Sequence, residues 1–266
     1  MAARPSAADR WAAALAEWAI PQDILDAAPV NPWVHAPRMF ASTDADPSDT
    51  PSMHAAAAAL GDGGDVLDVG CGGGRSSLPL AALITHVTGV DQQQEMLDQF
   101  RAAAASAGVP CDAVLGRWLD VQSTVLAADV VVCHHVVYNV GDIGPFIAAL
   151  HTHARRAVVV ELTANHPQSS LNDLWRHFWG IERPTEPSAD LFVEVVGEAG
   201  HTPVVQRFRR SERASPLSVD EHVANVRQRL CLTADRDAEI AALLGGRVGP
   251  RAGLAADEVV TVWWHV

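Results

Sequence analysis

Two carboxylates, a run of glycines and a pair of histidines are the residues of this chain whose types and spacing could do chemistry. Asp68 lies inside Val66-Leu67-Asp68-Val69-Gly70-Cys71-Gly72-Gly73-Gly74-Arg75. Asp91 closes a second apolar stretch, His86-Val87-Thr88-Gly89-Val90, about twenty residues on. Glycines let a backbone approach a ligand with no Cβ in the way, and a helix N-terminus following them favours negative charge. An acid at the end of each of two strands, with a glycine turn between, suits a nucleoside-containing cofactor bound at the carboxyl edge of an open sheet. His134 and His135 end a third apolar run, Val130-Val131-Val132-Cys133. Imidazole titrates near neutrality, so either could act as a base or orient an acceptor. If the strand continues through them they face opposite sides; the plainer alternative is one core histidine and one loop histidine.

The elements that must position these residues follow a repeating pattern. Short apolar strands are expected at Asp65–Val69, His86–Val90, Cys111–Leu115, Asp129–His134 and Ala157–Leu162. Helices are expected near Ser76–Ile84, Gln92–Ala107 and Pro145–His153. Such alternation implies an α/β fold with a parallel sheet covered on both faces. Before it, Ala7–Ala19 has Trp11, Leu15 and Trp18 at helical spacing, and Ser52–Leu60 is an Ala-rich helix ending at Gly61. Ile20–Pro51 reads as a packed loop or short helices anchored by Trp33 and Phe40. After it come an aromatic helix over Ser170–Gly180, a helix over Ala189–Ala199, a strand at Pro203–Phe208, a long helical stretch Val219–Leu244 in one piece or two, and a closing strand Val259–Trp264. The organisation expected is a helical N-terminal cap over residues 1–60 and one domain over 61–266, with helical inserts near 165–180 and 216–247.

Composition narrows the function classes. With 48% hydrophobic and 19% charged residues, the 266-residue chain can bury a sizeable core. Its net charge is −13 and every basic residue is arginine. An acidic surface opposes phosphate backbones, so nucleic acid is an unlikely partner. Arg207, Arg209, Arg210 and Arg213 form a local basic cluster of the kind that is more often a solvated face than a binding site. Cys71, Cys111, Cys133 and Cys231 fit no zinc spacing, and free thiols in a reducing cytoplasm account for them. His151 and His153 stand two apart on an expected helix, hence on different faces, so no metal is expected there. No apolar run is long enough to span a bilayer and the N-terminus lacks a signal-peptide core, giving a cytoplasmic expectation without a membrane partner.

The glycine spacing departs from the G-x-G-x-x-G of dinucleotide folds: counted from Gly70, the sixth position is Arg75. The pattern is instead Asp-x-Gly-x-Gly-x-Gly, followed by Gly89-Val90-Asp91. In these motifs the stretch from about Gly64 to Leu162 resembles the class I S-adenosylmethionine-dependent methyltransferases. That resemblance implies a Rossmann-like, doubly wound, mostly parallel seven-stranded sheet with an antiparallel last strand. It implies S-adenosyl-L-methionine as cofactor, with the turn Gly70, Cys71, Gly72 and Gly74 against its methionine and ribose portions. Asp91 would take both ribose hydroxyls, Gln92 would lie beside the adenine, Asp68 would act on the ammonium group, and Cys133 would border the methionine part. The family often has an acid after strand three for the adenine amino group. Arg117 stands there instead, so either Trp118 stacks on the base or Asp120 replaces the acid.

No Asn/Asp-Pro-Pro-aromatic motif follows strand four, which in the resemblance argues against N-methylation of nucleic acid. The expected activity is therefore direct in-line methyl transfer to a small-molecule acceptor, with His134 or His135 as the candidate catalytic group and Tyr138 in packing. Cover for the acceptor would come from Trp33 and His35, from the aromatic insert with His166, Trp175, His177 and Trp179, and from the helical stretch 219–244, although the plainer reading of Leu171–Trp179 is a core helix. The alternatives are a non-catalytic S-adenosylmethionine-binding regulatory protein, a nicotinamide-dependent oxidoreductase and an RNA methyltransferase. The acceptor atom and the oligomeric state are left open by the sequence.

Overall fold

The apolar runs Val66–Val69, Val130–Cys133 and Ala157–Leu162 are buried on both faces, and they assemble into one sheet with helices on both sides. The computed structural model describes residues 4–32, 49–209, 218–245 and 258–266. The expected roles of Trp33, His35, Phe40, Arg210 and Arg213 lie outside the described residues. Seven strands form the sheet: β1 (Gly64–Val69), β2 (Ile84–Asp91), β3 (Cys111–Leu115), β4 (Ala128–His134), β5 (Ala154–Thr163), β6 (Val204–Arg209) and β7 (Glu258–His265). Their order is β3-β2-β1-β4-β5-β7-β6, and β7 alone runs antiparallel to its neighbours. The reversal of strand order falls between β1 and β4, which pair in parallel through Val66–Asp68 and Val130–Val132. This is the Rossmann-like sheet expected from the sequence, reversed last strand included.

Side-chain alternation sorts the core into two layers. Leu67, Val69, Val131, Cys133, Val158, Val160 and Leu162 face one layer, with Trp11 of helix α1 (Ala7–Ala16), helix α6 (Ile143–Thr152) and helix α8 (Ala189–Glu198). Val66, Val130, Val132 and Val159 face the other, against helix α3 (Pro51–Leu60) and helix α4 (Gln94–Ser106). A third cluster lies apart from the sheet. In it helix α2 (Gln22–Ala27) and helix α7 (Asn172–Trp179) pack on helix α9 (Val219–Arg229) and helix α10 (Asp237–Leu244) through Ile24, Trp175, Val226 and Ile240.

Several boundaries differ from the sequence expectation. The helix expected over Ser76–Ile84 is a six-residue 3-10 helix, Leu78–Leu83. Strand β2 begins at Ile84, which pairs with Gly64, so too few residues remain for an α-helix after the glycine turn. One-turn helix α5 (Trp118–Val121) carries no periodic signal and was not expected. The helix after β2 starts at Gln94 rather than Gln92, because Asp91 accepts from the Gln93 backbone N–H at 2.9 Å and turns the chain first. The stretch 219–244, by contrast, takes the two-piece form that the sequence allowed: α9 and α10 are divided near Cys231, which has a left-handed φ of 57°.

Candidate active site

The carboxyl ends of β1 and β4 flank the point where strand order reverses, with those of β2 and β5 on either side, and Asp68, the glycine turn, Asp91, His134, His135 and Glu161 lie at or near these four strand ends. The turn after β1 is built tightly. The Gly70 and Cys71 N–H groups donate to Val90 O at 2.8 and 3.1 Å, and Gly74 N–H donates to Cys71 O at 2.8 Å. Gly70 has φ +73°, and a Cβ there would stand 2.2 Å from Val136 Cγ2. The close approach sets the segment after β4 directly against the glycine turn.

Asp91 organises the turn from β2. Its Oδ2 accepts from Gly72 N–H at 3.0 Å and its Oδ1 from Gln93 N–H at 2.9 Å. A carboxylate offers about four acceptor sites, so two backbone donors leave about two for a ligand with paired hydroxyls. Asp68, on β1 beside Gly89 of β2, is fully buried. Burial pushes its carboxyl up to about 7, and the nearby Asp91 charge adds to this, against hydrogen bonds from Ser77 and Ser76 that favour the carboxylate. Ser77 Oγ donates to Asp68 Oδ2 at 2.6 Å, while Asp68 Oδ1 is buried with no hydrogen-bond partner. A buried acid half satisfied in this way fits a ligand that brings a donor or a positive charge. Cys71 and Cys133 are buried, and burial with the Asp68 charge holds both thiols well above the ordinary range, as neutral packing groups.

The residues expected beside the adenine are less drawn together. Gln92 and Arg117 are exposed, and Arg117 caps α5. Trp118 is a core residue, 5% exposed, with its ring edge-on to His153 at 4.8 Å. Asp120 is exposed on the same short helix.

Strand β4 ends at His134, and His135 leaves it in the left-handed region with φ 59°. The opposite-faced pair expected from continued strand alternation therefore does not form. His135 is held instead by β5: its N–H donates to Glu161 O at 2.7 Å and its Nε2 lies 3.0 Å from Glu161 Oε1. Glu161 shares side-chain parity with Val159 and so faces α3, where Ser52 Oγ donates to its Oε2. Sequence reasoning missed both residues. The available signal was an acid inside the apolar run Val158-Val159-Val160-Glu161-Leu162 at a strand's carboxyl end.

Tyr138 is buried in packing, its hydroxyl 2.7 Å from Thr163 Oγ1, edge-on to His166. His166 stacks on Trp18, and burial, with the Arg183 charge, lowers it to about 4. Arg183 in turn lies over both Trp18 and Trp175 and donates to the Trp18 and Ala19 carbonyls. His177 pairs with Glu239, and Trp179 donates to Leu230 O, so the aromatic insert is fastened to α9 and α10. His151 lies tilted against His201, ring centroids 4.3 Å apart, whereas His153 bonds the Ala149 and Gln122 carbonyls, so the two histidines do not converge. Arg207 of the basic cluster is paired with Asp190 and Glu258. Among the described residues no group of three or more metal-ligating side chains occurs, and no helix is long and apolar enough to cross a membrane.

Residues 66–157 match the family model described as "Methyltransferase domain". The Ubiquinone biosynthesis O-methyltransferase of Rickettsia akari (strain Hartford) is 34% identical over 91 residues, covering 34% of this chain and 36% of that protein. The protein of the same name from Methylobacterium sp. (strain 4-46) is 40% identical over 85 residues, covering 31% and 33%. The matched stretch thus spans about a third of these relatives' length. Among solved structures, one described under conversion of a disulfide bond into a thioacetal group during echinomycin biosynthesis has TM-score 0.54 at 18% identity, covering 86% of this chain and 87% of that one. A protein from Bacillus halodurans C-125 has TM-score 0.52 at 14% identity, covering 80% and 96%. These two likenesses concern the fold.

Proposed function

We propose that this chain, whose residues 66–157 match a methyltransferase domain, binds S-adenosylmethionine at the β1/β4 switch point and transfers its methyl group to a small-molecule acceptor. One observation carries the reading: a fully buried Asp68 with an unpartnered Oδ1, beside a glycine turn whose Gly72 N–H is held by Asp91. When bound, S-adenosylmethionine supplies a methyl group on a positive sulfur, so the protein needs no covalent nucleophile. Asp68 receives the ligand's ammonium group, Asp91 accepts from its ribose hydroxyls, and Gly70 to Gly74 give it a backbone surface. Gln92 and Arg117, both exposed, border the base, and Cys133 lines the floor beneath the methionine part. The chain's remaining contribution is alignment and exclusion of water. The names of the relatives support a small acceptor methylated on oxygen.

Calorimetric titration with S-adenosylmethionine tests the cofactor assignment. The wild type should bind. Asp91→Ala should weaken binding by at least about a hundredfold, since hydrogen bonds to a charged group are worth roughly 1.5–3 kcal/mol each. Equal affinity of the two would refute the ribose role of Asp91. Conversion of S-adenosylmethionine to S-adenosylhomocysteine in the presence of an acceptor separates the enzyme from a regulatory binder.

A further inference from the structure

A line of hydrogen bonds runs from the start of α3 to the turn beside the glycines. Ser52 has one hydroxyl proton and donates it to Glu161, so the contact at 3.0 Å between Thr50 Oγ1 and Ser52 Oγ has Thr50 as donor. Glu161 then meets His135 twice, through its own carbonyl and through Oε1. Ser52 is wholly buried and the Glu161 side chain is 4% exposed, whereas the His135 side chain is 31% exposed. The line therefore has a dry interior and a partly exposed end at His135. A carboxyl buried on a strand whose neighbouring position on the same face is Val159 is costly if only space is to be filled. His135 also sits next to Val136, the residue in contact with Gly70 of the turn.

We propose that Glu161 is a positioning residue that acts through His135. It fixes the imidazole at the mouth of the site and offsets the charge gained when His135 takes a proton. The methyl acceptor is consequently a hydroxyl or an amine that gives up a proton as it is methylated. This rests on the methyl-transfer reading above. In the step, a lone pair of the acceptor oxygen or nitrogen forms the bond to the methyl carbon. The sulfur keeps the electron pair of the bond that breaks, leaving a neutral thioether. The acceptor's proton passes to the His135 imidazole and from there to water. Among the described residues, titratable groups near this point include His134, which is in register with Glu161, and Asp68, whose strand pairs with β4.

Protein labelled with carbon-13 at histidine Cε1 gives a readout independent of turnover, with His135→Gln identifying the His135 resonance. Glu161→Gln is expected to lower the pH midpoint of that resonance by about one unit or more, and Glu161→Asp to recover part of the change. Turnover is then measured with S-adenosylmethionine and two probe acceptors, catechol and benzylamine. Glu161→Gln should lose at least about tenfold in kcat while its KM for S-adenosylmethionine stays within about twofold. The acid limb of its kcat profile should move with the NMR midpoint. Ser52→Ala should lower kcat by about threefold to tenfold in the same manner. A merely structural Glu161 would leave the acid limb where it is. An unmoved His135 midpoint or an unmoved acid limb in Glu161→Gln overturns the positioning role. A wild type that binds S-adenosylmethionine but methylates neither probe overturns the acceptor class. A wild type that does not bind S-adenosylmethionine overturns the methyl-transfer reading instead, and the NMR titration still decides whether Glu161 controls His135.

Discussion

Asp68 and His166 are both buried and both shifted toward their neutral forms, yet they tie stability to pH in opposite directions. Asp68 holds its proton up to about pH 7 when folded, against an ordinary carboxyl value of 3.8. The folded state carries the extra proton across that window, so this group's contribution falls as pH rises through it. The window covers roughly three pH units at about 1.4 kcal/mol each, which caps the effect at about 4 kcal/mol. His166, lowered from 6.5 to about 4, binds fewer protons folded than unfolded, so its contribution is present above pH 6.5 and is lost as pH falls toward 4. Melting temperature from pH 4.5 to 8 should therefore rise with pH up to about 6.5 in Asp68→Asn, and fall with pH in His166→Gln. Parallel profiles for the two variants would contradict these assignments. Saturating S-adenosylmethionine should flatten the Asp68 slope in the wild type, because the ligand's ammonium favours the carboxylate.

At the same scale, Asp68 and Asp91 were legible because each lies within a short local pattern of strand, turn and acid. Glu161 and Ser52 were not, since their meeting spans 109 positions of sequence and depends on the β4–β5 pairing and on where α3 crosses it. The turning of His135 out of its strand was equally illegible: a histidine gives no local warning of a left-handed φ.

Among the elements, the glycine turn is the most demanding. Gly70→Ala forces a Cβ into a left-handed backbone, which costs about 1–2 kcal/mol, and onto Val136, which adds about 1–3 kcal/mol. Urea denaturation should show the sum in the single variant. In a Val136→Ala background the overlap disappears, so the same substitution should cost about 1–3 kcal/mol less; strict additivity would mean that the two residues do not touch. The strands themselves were readable from their apolar runs, and the error at Leu78–Leu83 arose at a boundary. Hydrophobic spacing in that stretch suits a helix, but the pairing of Ile84 with Gly64 decides how much chain is left for one.

In the molecule as a whole, the N-terminal helix belongs to the same core as the sheet. Trp11 is fully buried, donates from Nε1 to Val140 O at 2.9 Å and meets Phe192 edge to face. Trp11→Ala should cost about 3–5 kcal/mol in equilibrium unfolding, with one cooperative transition retained. A change below about 1 kcal/mol would show that α1 is only loosely laid on the core. The third cluster was the least readable part, because α2, α7, α9 and α10 bury each other's faces across about two hundred residues of sequence and none of them is long.

The sheet order carries a consequence in time. Among the described residues, strand β6 pairs in the sheet only with β7, which follows it in the chain after about fifty residues. At a synthesis rate of about 5–20 residues per second, β6 waits roughly 2–10 s on the ribosome with both its edges unsatisfied. Val204 and Val205 are exposed even in the finished fold, so this nascent strand is where premature pairing between neighbouring chains on one messenger would begin.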